Sequence, residues 1–292
     1  AGVSNLGDEA VTISDTTLAS SVLNTLDGNT TGAVNAASVT TLTGTAAAIN
    51  TAYASSGITN LGNEAVTLSD TTLAASVFNT LNGNTSGTIN GDTITTLTGS
   101  ASAVNTAVSA AQTSNMGDQA VTLDDTTLAA SVLNTLNGNT SGTINASSVT
   151  TFTGTATVVN TAITGAQTSG LGNEAVTLTD TSVAAANLNT LDTNTSGAID
   201  AGTVNTITGA AAAANTAYAS AGITALGDEA VTLSDTTLAA TVLNTLDGNT
   251  SGAVNAATVT TLTGTAAAAN TAYASGGISN LGDEAVTISD TT

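Results

Sequence analysis

Apolar residues recur along the chain in two alternating blocks, each with the spacing of a helix. Residues three and four positions apart lie on one face of a helix, so each block predicts a short amphipathic helix. The apolar residues are Leu18, Val22, Leu23 and Leu26 in the first block and Ala46, Ile49, Ala52 and Tyr53 in the second. Asp15 and Thr16 precede the first block as N-cap candidates.

Short segments rich in Val, Ile and Thr separate these helices and predict strands. They cover residues 34–35, 39–43, 58–61 and 65–68. Turn-forming pairs such as Asn90-Gly91 occur at some of the joints. Each half of the pattern therefore predicts the order strand, strand, helix.

The whole pattern returns every 55 residues without insertion or deletion. Copies start near residues 7, 62, 117, 172 and 227, and a partial copy starts at 282. An Asn-Thr pair in each half, as at Asn24 and Asn50, gives spacings that alternate between 26 and 29 residues. A fixed period of this length indicates stacked repeats. We predict one continuous array over 1–292, an α/β repeat solenoid of strand-strand-helix units with two unequal halves per repeat.

Two strand arrangements fit this pattern. If each half contributes one strand to a given sheet, strands about 4.8 Å apart must match helices about 8 to 10 Å apart, and the array curves. If both strands of a half lie side by side in one sheet, the spacings match and the array is straight. The sequence leaves both arrangements open.

The two ends of the chain have nearly the same sequence. Residues 2–9 return almost unchanged as residues 277–284, and the chain stops at Thr292, where the next helix would start. Solenoids usually end in atypical capping repeats. We expect the chain to be a fragment of a longer array, and its partner to be the continuation of that array or another copy stacked end to end.

The charge balance changes the range of partners. The chain has 21 acidic residues, no Lys, Arg or His, and a net charge of -21. It offers no basic patch for phosphates, which argues against nucleic acid as a partner. The alanine-rich run 210–214 is too short to span a membrane, so no membrane insertion is expected. Such a charge needs wide spacing or cations from the medium, which favours an extracellular or cell-surface location.

The residue types also argue against catalysis. Without His, Lys or Cys the chain has no obvious general base near neutral pH, so we predict that it is not an enzyme. The recurring Asp15-type residues precede a helix and are expected to cap it, and adjacent acids such as Asp8 and Glu9 are expected to be solvated. The recurring Asn residues predict a ladder in which side-chain amides satisfy backbone groups of the next unit.

Substitutions between copies identify core positions. Leu23 becomes Phe78 in the second copy, and Tyr53 becomes Val108, so the few aromatic residues fill volume. Gly44 is a glycine in every copy, which predicts a positive φ or a close backbone approach.

One loop resembles the first part of an EF-hand or dockerin calcium loop. Oxygen-bearing residues fall at loop positions 1, 3, 5 and 9, with glycine at position 6. Position 12 lacks the usual acid, and two copies have Asn at position 1. Calcium is therefore the one predicted cofactor. The candidate ligands are Asp27, Asn29, Thr31, Asn35, Asp192, Asn194, Ser196, Asp200, Asp247, Asn249, Ser251 and Asn255.

Two further motifs recur with the repeat. The same loop spells a glycosylation sequon at Asn29 and its equivalents. A Thr-x-Thr element, as at Thr41 and Thr43, recurs in all five copies. Threonine ranks are what β-solenoid ice-binding proteins present, so an ice-binding or adhesin-type surface is the alternative function. It requires the threonines to lie on an exposed sheet face.

The sequence of the repeat resembles the repeats of a known group of proteins. The segments 65–77, Ala-Val-Thr-Leu-Ser-Asp-Thr-Thr-Leu-Ala-Ala-Ser-Val, and 41–48, Thr-Leu-Thr-Gly-Thr-Ala-Ala-Ala, are similar to tandem repeats in giant cell-surface and secreted proteins of marine cyanobacteria and related bacteria. The resemblance implies an extracellular structural protein that forms a stalk, filament or surface coat. It carries over no catalytic residue.

Overall fold

Ten short helices recur along the part of the chain that the structure, a computed structural model, describes, residues 7–290. The helices are α1 Ser20–Asn29, α2 Ala46–Ala54, α3 Ala75–Asn84, α4 Ala101–Val108, α5 Ala130–Asn139, α6 Ala156–Ile163, α7 Ala185–Asn194, α8 Ala211–Ala219, α9 Ala240–Asn249 and α10 Ala266–Ala274. The predicted alternation of two helices per 55-residue copy is confirmed.

Two or three short strands separate consecutive helices. They are β1 Val11–Thr12, β2 Thr17–Ala19, β3 Val34–Asn35, β4 Thr41–Gly44, β5 Ile58–Thr59, β6 Ala65–Leu68, β7 Thr72–Ala74, β8 Ile89–Asn90, β9 Thr96–Gly99, β10 Thr113–Ser114, β11 Ala120–Leu123, β12 Thr127–Ala129 and β13 Ile144–Asn145. They continue as β14 Thr151–Gly154, β15 Thr168–Ser169, β16 Ala175–Leu178, β17 Ser182–Ala184, β18 Ile199–Asp200, β19 Thr206–Gly209, β20 Ile223–Thr224, β21 Ala230–Leu233, β22 Thr237–Ala239, β23 Val254–Asn255, β24 Thr261–Gly264, β25 Ile278–Ser279 and β26 Ala285–Ile288.

The chain forms two compact units. The first holds the residues up to Asp125 with Thr135–Ser148 and Gln167–Gly170, and the second holds the remaining segments from Thr126 onwards. The first unit contains three parallel sheets, ordered β1-β3-β5, β10-β8-β6-β4-β2 and β15-β13-β11-β9-β7. The second contains β12-β14-β16-β18-β20, β17-β19-β21-β23-β25 and β22-β24-β26. Every strand pair is parallel, as the α/β prediction requires.

Each sheet takes one strand from each successive stretch between helices. In the first unit, Thr17 of β2 pairs with Thr41 of β4, and Thr41 pairs with Ala65 of β6. These partners are 24 residues apart, and those of β6 and β8 are 23 apart, whereas the helices recur at 26 and 29. The sequence separation between paired strands is shorter than that between successive helices. Each successive strand of a sheet therefore lies further before the helix that follows it. Of the two predicted arrangements, the one with a single strand per half in each sheet is confirmed.

The core lies between the sheets and the helices of each unit. The central residue of each Thr-x-Thr strand is fully buried, and so are the apolar residues that the helices turn inwards. Leu42, Leu23, Ile49, Phe78 and Phe152 show no exposed surface. Within each unit helices pack on their sequence neighbours, as α2 does on α1 and α3 in the first unit and α8 does on α7 and α9 in the second. Burial of these large side chains supplies the main stabilisation, since each is worth about 1.5–3 kcal/mol.

Several predicted boundaries were wrong. The first helix begins at Ser20, and residues Thr17–Ala19 before it form strand β2. Its N-cap is Ala19, so neither Asp15 nor Thr16 caps it. The segment predicted as strand 39–43 is a strand at Thr41–Gly44, and Ile58–Thr59 replaces 58–61. β-branched residues made the predicted strands longer or shifted them, but only residues that pair with an adjacent strand are in strands.

The invariant glycine was predicted correctly. Gly44 has a φ of +139°, and the four equivalent glycines also have positive φ values. Each ends a Thr-x-Thr-Gly strand immediately before a helix. Only glycine adopts this backbone conformation without strain, so the position fixes the turn from strand to helix.

Candidate functional site

The recurring Asp residues from Asp70 onwards cap helices, but each one caps the helix that precedes it in the chain and not the helix that follows it. Asp70 lies just before β7, and its Oδ2 accepts the backbone N–H of Ala46, at the start of α2, at 2.8 Å. Asp125 accepts from Ala101 in the same way at 2.7 Å. The predicted role as a cap is confirmed, while the predicted helix was wrong. Each carboxylate therefore joins its own segment to the preceding helix. Its negative charge interacts favourably with the positively polarised N-terminus of that helix.

The Asn residues near the helix ends form the predicted ladder. The Nδ2 group of Asn24 donates to the carbonyl oxygen of Ala48 in the next helix at 2.8 Å, and that of Asn50 donates to Val77 at 3.0 Å. Six later members make equivalent bonds. They are Asn79, Asn134, Asn160, Asn189, Asn215 and Asn244. These amides therefore join each helix to the next one through its backbone.

Four of the five sequon asparagines belong to the same network. The Nδ2 group of Asn84 donates to Asn50 Oδ1 at 3.0 Å, and Asn139, Asn194 and Asn249 repeat this bond in their own copies. Glycan attachment would use this amide nitrogen. Asn84 is half-buried and engaged, so the structure assigns it a packing role at this position.

The first calcium-ligand candidates lie in a helix and not in a loop. Asp27 and Asn29 occupy the last turn of α1, Asp192 and Asn194 that of α7, and Asp247 and Asn249 that of α9. The three carboxylates each accept a hydroxyl hydrogen bond from the segment after the next helix. Ser55 donates to Asp27 at 2.6 Å, Ser220 to Asp192 at 2.8 Å and Ser275 to Asp247 at 2.7 Å.

The later ligand candidates are placed on different elements. Thr31, Ser196 and Ser251 follow the helices, and their backbone N–H groups donate to Gly7, Gly172 and Gly227. Asn35, Asp200 and Asn255 lie on two-residue strands, and their side-chain oxygens accept backbone N–H groups two residues on. The bonds of Thr31, Ser196 and Ser251 thus reach a segment distant in sequence, whereas those of Asn35, Asp200 and Asn255 stay within their own segment. Among residues 7–290, no three His, Cys, Asp or Glu side chains group as a metal site.

A buried carboxylate also occurs in most copies, and the sequence prediction missed it. Glu64, Glu174 and Glu229 are at most 1% exposed, whereas the equivalent Glu9 is exposed as expected for the Asp-Glu pair. Glu64 Oε2 accepts from the Tyr53 hydroxyl at 2.9 Å and from the Gly62 N–H at 2.8 Å. Its Oε1 accepts no hydrogen bond from any residue that the structure describes.

Burial and the neighbouring carboxylate act on the tyrosines. Desolvation raises the pKa of the Tyr53 phenol well above its ordinary value, and the nearby Glu64 charge raises it further. Tyr218 beside Glu229 is shifted in the same direction for the same reasons. Both phenols therefore stay protonated and donate to the buried carboxylate at neutral pH.

The Thr-x-Thr residues lie on the outer face of the sheets. Thr41 and Thr43 flank the buried Leu42 and are themselves half-exposed. In the sheet register Thr43 lies next to Thr67, which is exposed. The structure thus brings hydroxyl side chains of adjacent strands together on a solvent-facing surface, the condition set for the alternative function.

Comparison with known proteins gives no relative. No protein-family model, no curated protein and no solved structure matches the chain. In the described part of the chain, every helix falls short of the length and hydrophobicity needed to cross a membrane.

Proposed function

We propose that the protein is a passive structural element of an extracellular or cell-surface assembly, a stalk, filament or coat, and not an enzyme. The observation that carries the proposal is the use of the recurring polar side chains. The Asn ladder, the Asp70-type caps and the Asp27-type carboxylates all bond one unit to the next. The recurring polar side chains thus serve to hold the array together.

Surface location is tested on cells that make the native protein. An antibody raised against the 292-residue chain is applied to intact cells and to permeabilised cells, followed by immunogold electron microscopy. The proposal expects labelled fibres or a labelled coat on intact cells. Label that appears only after permeabilisation contradicts it.

Calcium is the second element of the proposal. The chain carries no cationic side chain, so its acidic residues depend on ions from the medium. We expect calcium to raise the unfolding temperature more than sodium chloride of equal ionic strength if the Asp27-type residues bind it. Calorimetry of the native chain and of a D27N/D192N/D247N variant, each with calcium and with a chelator, tests this. An equal shift in both proteins discards the three carboxylates as ligands.

Ice binding through the threonine face is the competing function. The partial exposure of Thr41 and Thr43 and the exposure of the neighbouring Thr67 favour it. The test is inhibition of ice recrystallisation by the native chain and by T67K/T122K. A matched control, T51K/T106K, alters two exposed threonines on helices α2 and α4. Activity lost only in T67K/T122K establishes ice binding, and an inactive native chain excludes it.

A further inference from the structure

The five copies fall into two types that differ at the same set of positions. Copies 1, 4 and 5 carry Asp, Tyr, Ser and Gly where copies 2 and 3 carry Asn, Val or Ile, Ala or Gly, and Gln. The acidic-type sets are Asp27, Tyr53, Ser55 and Gly57; Asp192, Tyr218, Ser220 and Gly222; and Asp247, Tyr273, Ser275 and Gly277. The amide-type sets are Asn82, Val108, Ala110 and Gln112; and Asn137, Ile163, Gly165 and Gln167.

In the acidic type, the end of the first helix meets the segment after the second helix. Ser55 donates to Asp27 at 2.6 Å, and the Gly57 N–H donates to the Ser55 hydroxyl oxygen at 3.0 Å. A Cβ added to Gly57 would overlap Asp27 Oδ1. The same overlap occurs between Gly222 and Asp192 and between Gly277 and Asp247. A side chain at the last position would therefore push the Asp carboxylate out of the place where it accepts the Ser hydroxyl.

In the amide type, the same segment has a different backbone. Helix α4 ends at Val108, and its C-cap Ser109 has a helical conformation, whereas Ser55 after α2 is extended. A turn follows, in which the Thr113 hydroxyl donates to the carbonyl oxygen of Ala110 at 2.6 Å. The side-chain oxygens of Asn82 and Gln112 are both buried and accept no hydrogen bond within residues 7–290. These positions thus carry amides in place of the carboxylate and glycine.

We propose that the two halves of each copy recognise each other by type through these positions. A first half ending in Asp accepts only a second half with Ser and Gly, and a first half ending in Asn accepts one with Gln. The inference concerns which halves can pack together, so it stands apart from the proposed function of the array.

The match operates within a copy and not between copies. Glu174, which opens copy 4, is buried next to a copy that carries Ile163, whereas Glu64 receives the hydroxyl of Tyr53. The junction between copies therefore accepts either type. Whole copies of 55 residues can be exchanged along the array, but half-copies of different type cannot.

A graft tests the matching. Residues 53–58 of copy 1 are replaced by the sequence of residues 108–113, which puts Gln opposite Asp27. The second variant adds D27N, which restores an amide-type pair. The matched control adds D192N to the graft, so it makes the same Asp-to-Asn change at a junction that was not grafted. All three lose Tyr53, so its loss cancels in the comparison.

Relative to the native chain the graft loses Tyr53 as well as the match to Asp27, so the grafted variants are compared with one another. D27N should raise the midpoint of thermal unfolding of the graft by at least 2–4 °C, about the shift for one weak interaction in a chain of this size. D192N should lower it further. If the graft alone prevents folding, recovery by D27N but not by D192N still supports the proposal. Equal midpoints for the D27N and D192N variants, or no change on grafting, overturn it.

Discussion

The first two copies build the same helices and strands around different polar groups. In copy 1, the last turn of helix α2 carries Tyr53, whose hydroxyl donates to the buried Glu64 carboxylate at the start of copy 2. In copy 2, α4 ends in Val108, and the residue equivalent to Glu64 is Gln119. Gln119 accepts from the Gly117 N–H at 2.7 Å and donates to the Asn115 carbonyl and to Asp118 at 2.9 Å.

The difference shows what the fold demands at this place. In both places the buried side chain, Glu64 or Gln119, accepts the N–H of the residue two positions before it. Where that side chain is charged, copy 1 supplies a phenol donor to it, and where it is neutral, copy 2 supplies an aliphatic residue. The backbone turn is the constant feature, and its polar partner can change. The neighbour need not change with it, because Glu174 is buried beside a copy that carries the aliphatic Ile163.

The largest effect is expected from Y53V, which puts the residue of copy 2 into copy 1. It removes buried volume and leaves the Glu64 carboxylate with a single backbone donor, so the free energy of unfolding should fall by about 3 kcal/mol. Adding E64Q should recover part of that loss. Urea unfolding measures both. The control Y273V alters a tyrosine that is 40% exposed and should cost less, so equal losses at the two tyrosines would contradict the role of burial.

A smaller effect of opposite sign is expected from E174Q. Glu174 is fully buried, has Ile163 where copy 1 has Tyr53, and accepts only the Gly172 N–H among the described residues. Neutralising an uncompensated buried charge should stabilise the chain by about 1–2 kcal/mol. E9Q, at the exposed equivalent in copy 1, should change stability by less than about 0.5 kcal/mol. Destabilisation by E174Q would mean that the buried charge has a partner.

The smallest effect concerns alkaline pH. Because the fold raises the pKa of Tyr53 and Tyr218, the protonated phenols stabilise the folded state fully below pH of about 10. This contribution is lost as the pH rises through the folded-state values, since the unfolded chain loses those protons first. The unfolding midpoint should fall above pH 10, and Y53F should make the fall shallower. An unchanged slope in Y53F would exclude Tyr53 as a source.

The sequence predicted features that depend on the repeat itself. The helical faces of Leu23 and Ile49, the Asn50 ladder and the positive φ of Gly44 follow from periodicity and from invariance among copies. They need no knowledge of which strand pairs with which.

The features that were missed depend on the 24-residue strand step. Asp70 was expected to cap the helix that follows it, but the register brings it to the start of α2 instead. The burial of Glu64 was not predicted, because it involves Tyr53 of the preceding helix, whose hydroxyl donates to the carboxylate. The Ser55 to Asp27 bond joins halves whose contact no local pattern indicates, although the joint change to Gln112 and Asn82 carries that signal.

The central claim is that recurring polar side chains join consecutive units, and N50A tests it most directly. Asn50 donates to Val77 and accepts from Asn84, and both partners lie in α3. The matched control is N63A, at an exposed asparagine outside the helices and strands. Urea unfolding should show a loss of about 2 kcal/mol for N50A and less than about 0.5 kcal/mol for N63A. Equal small losses in the two variants would contradict the account.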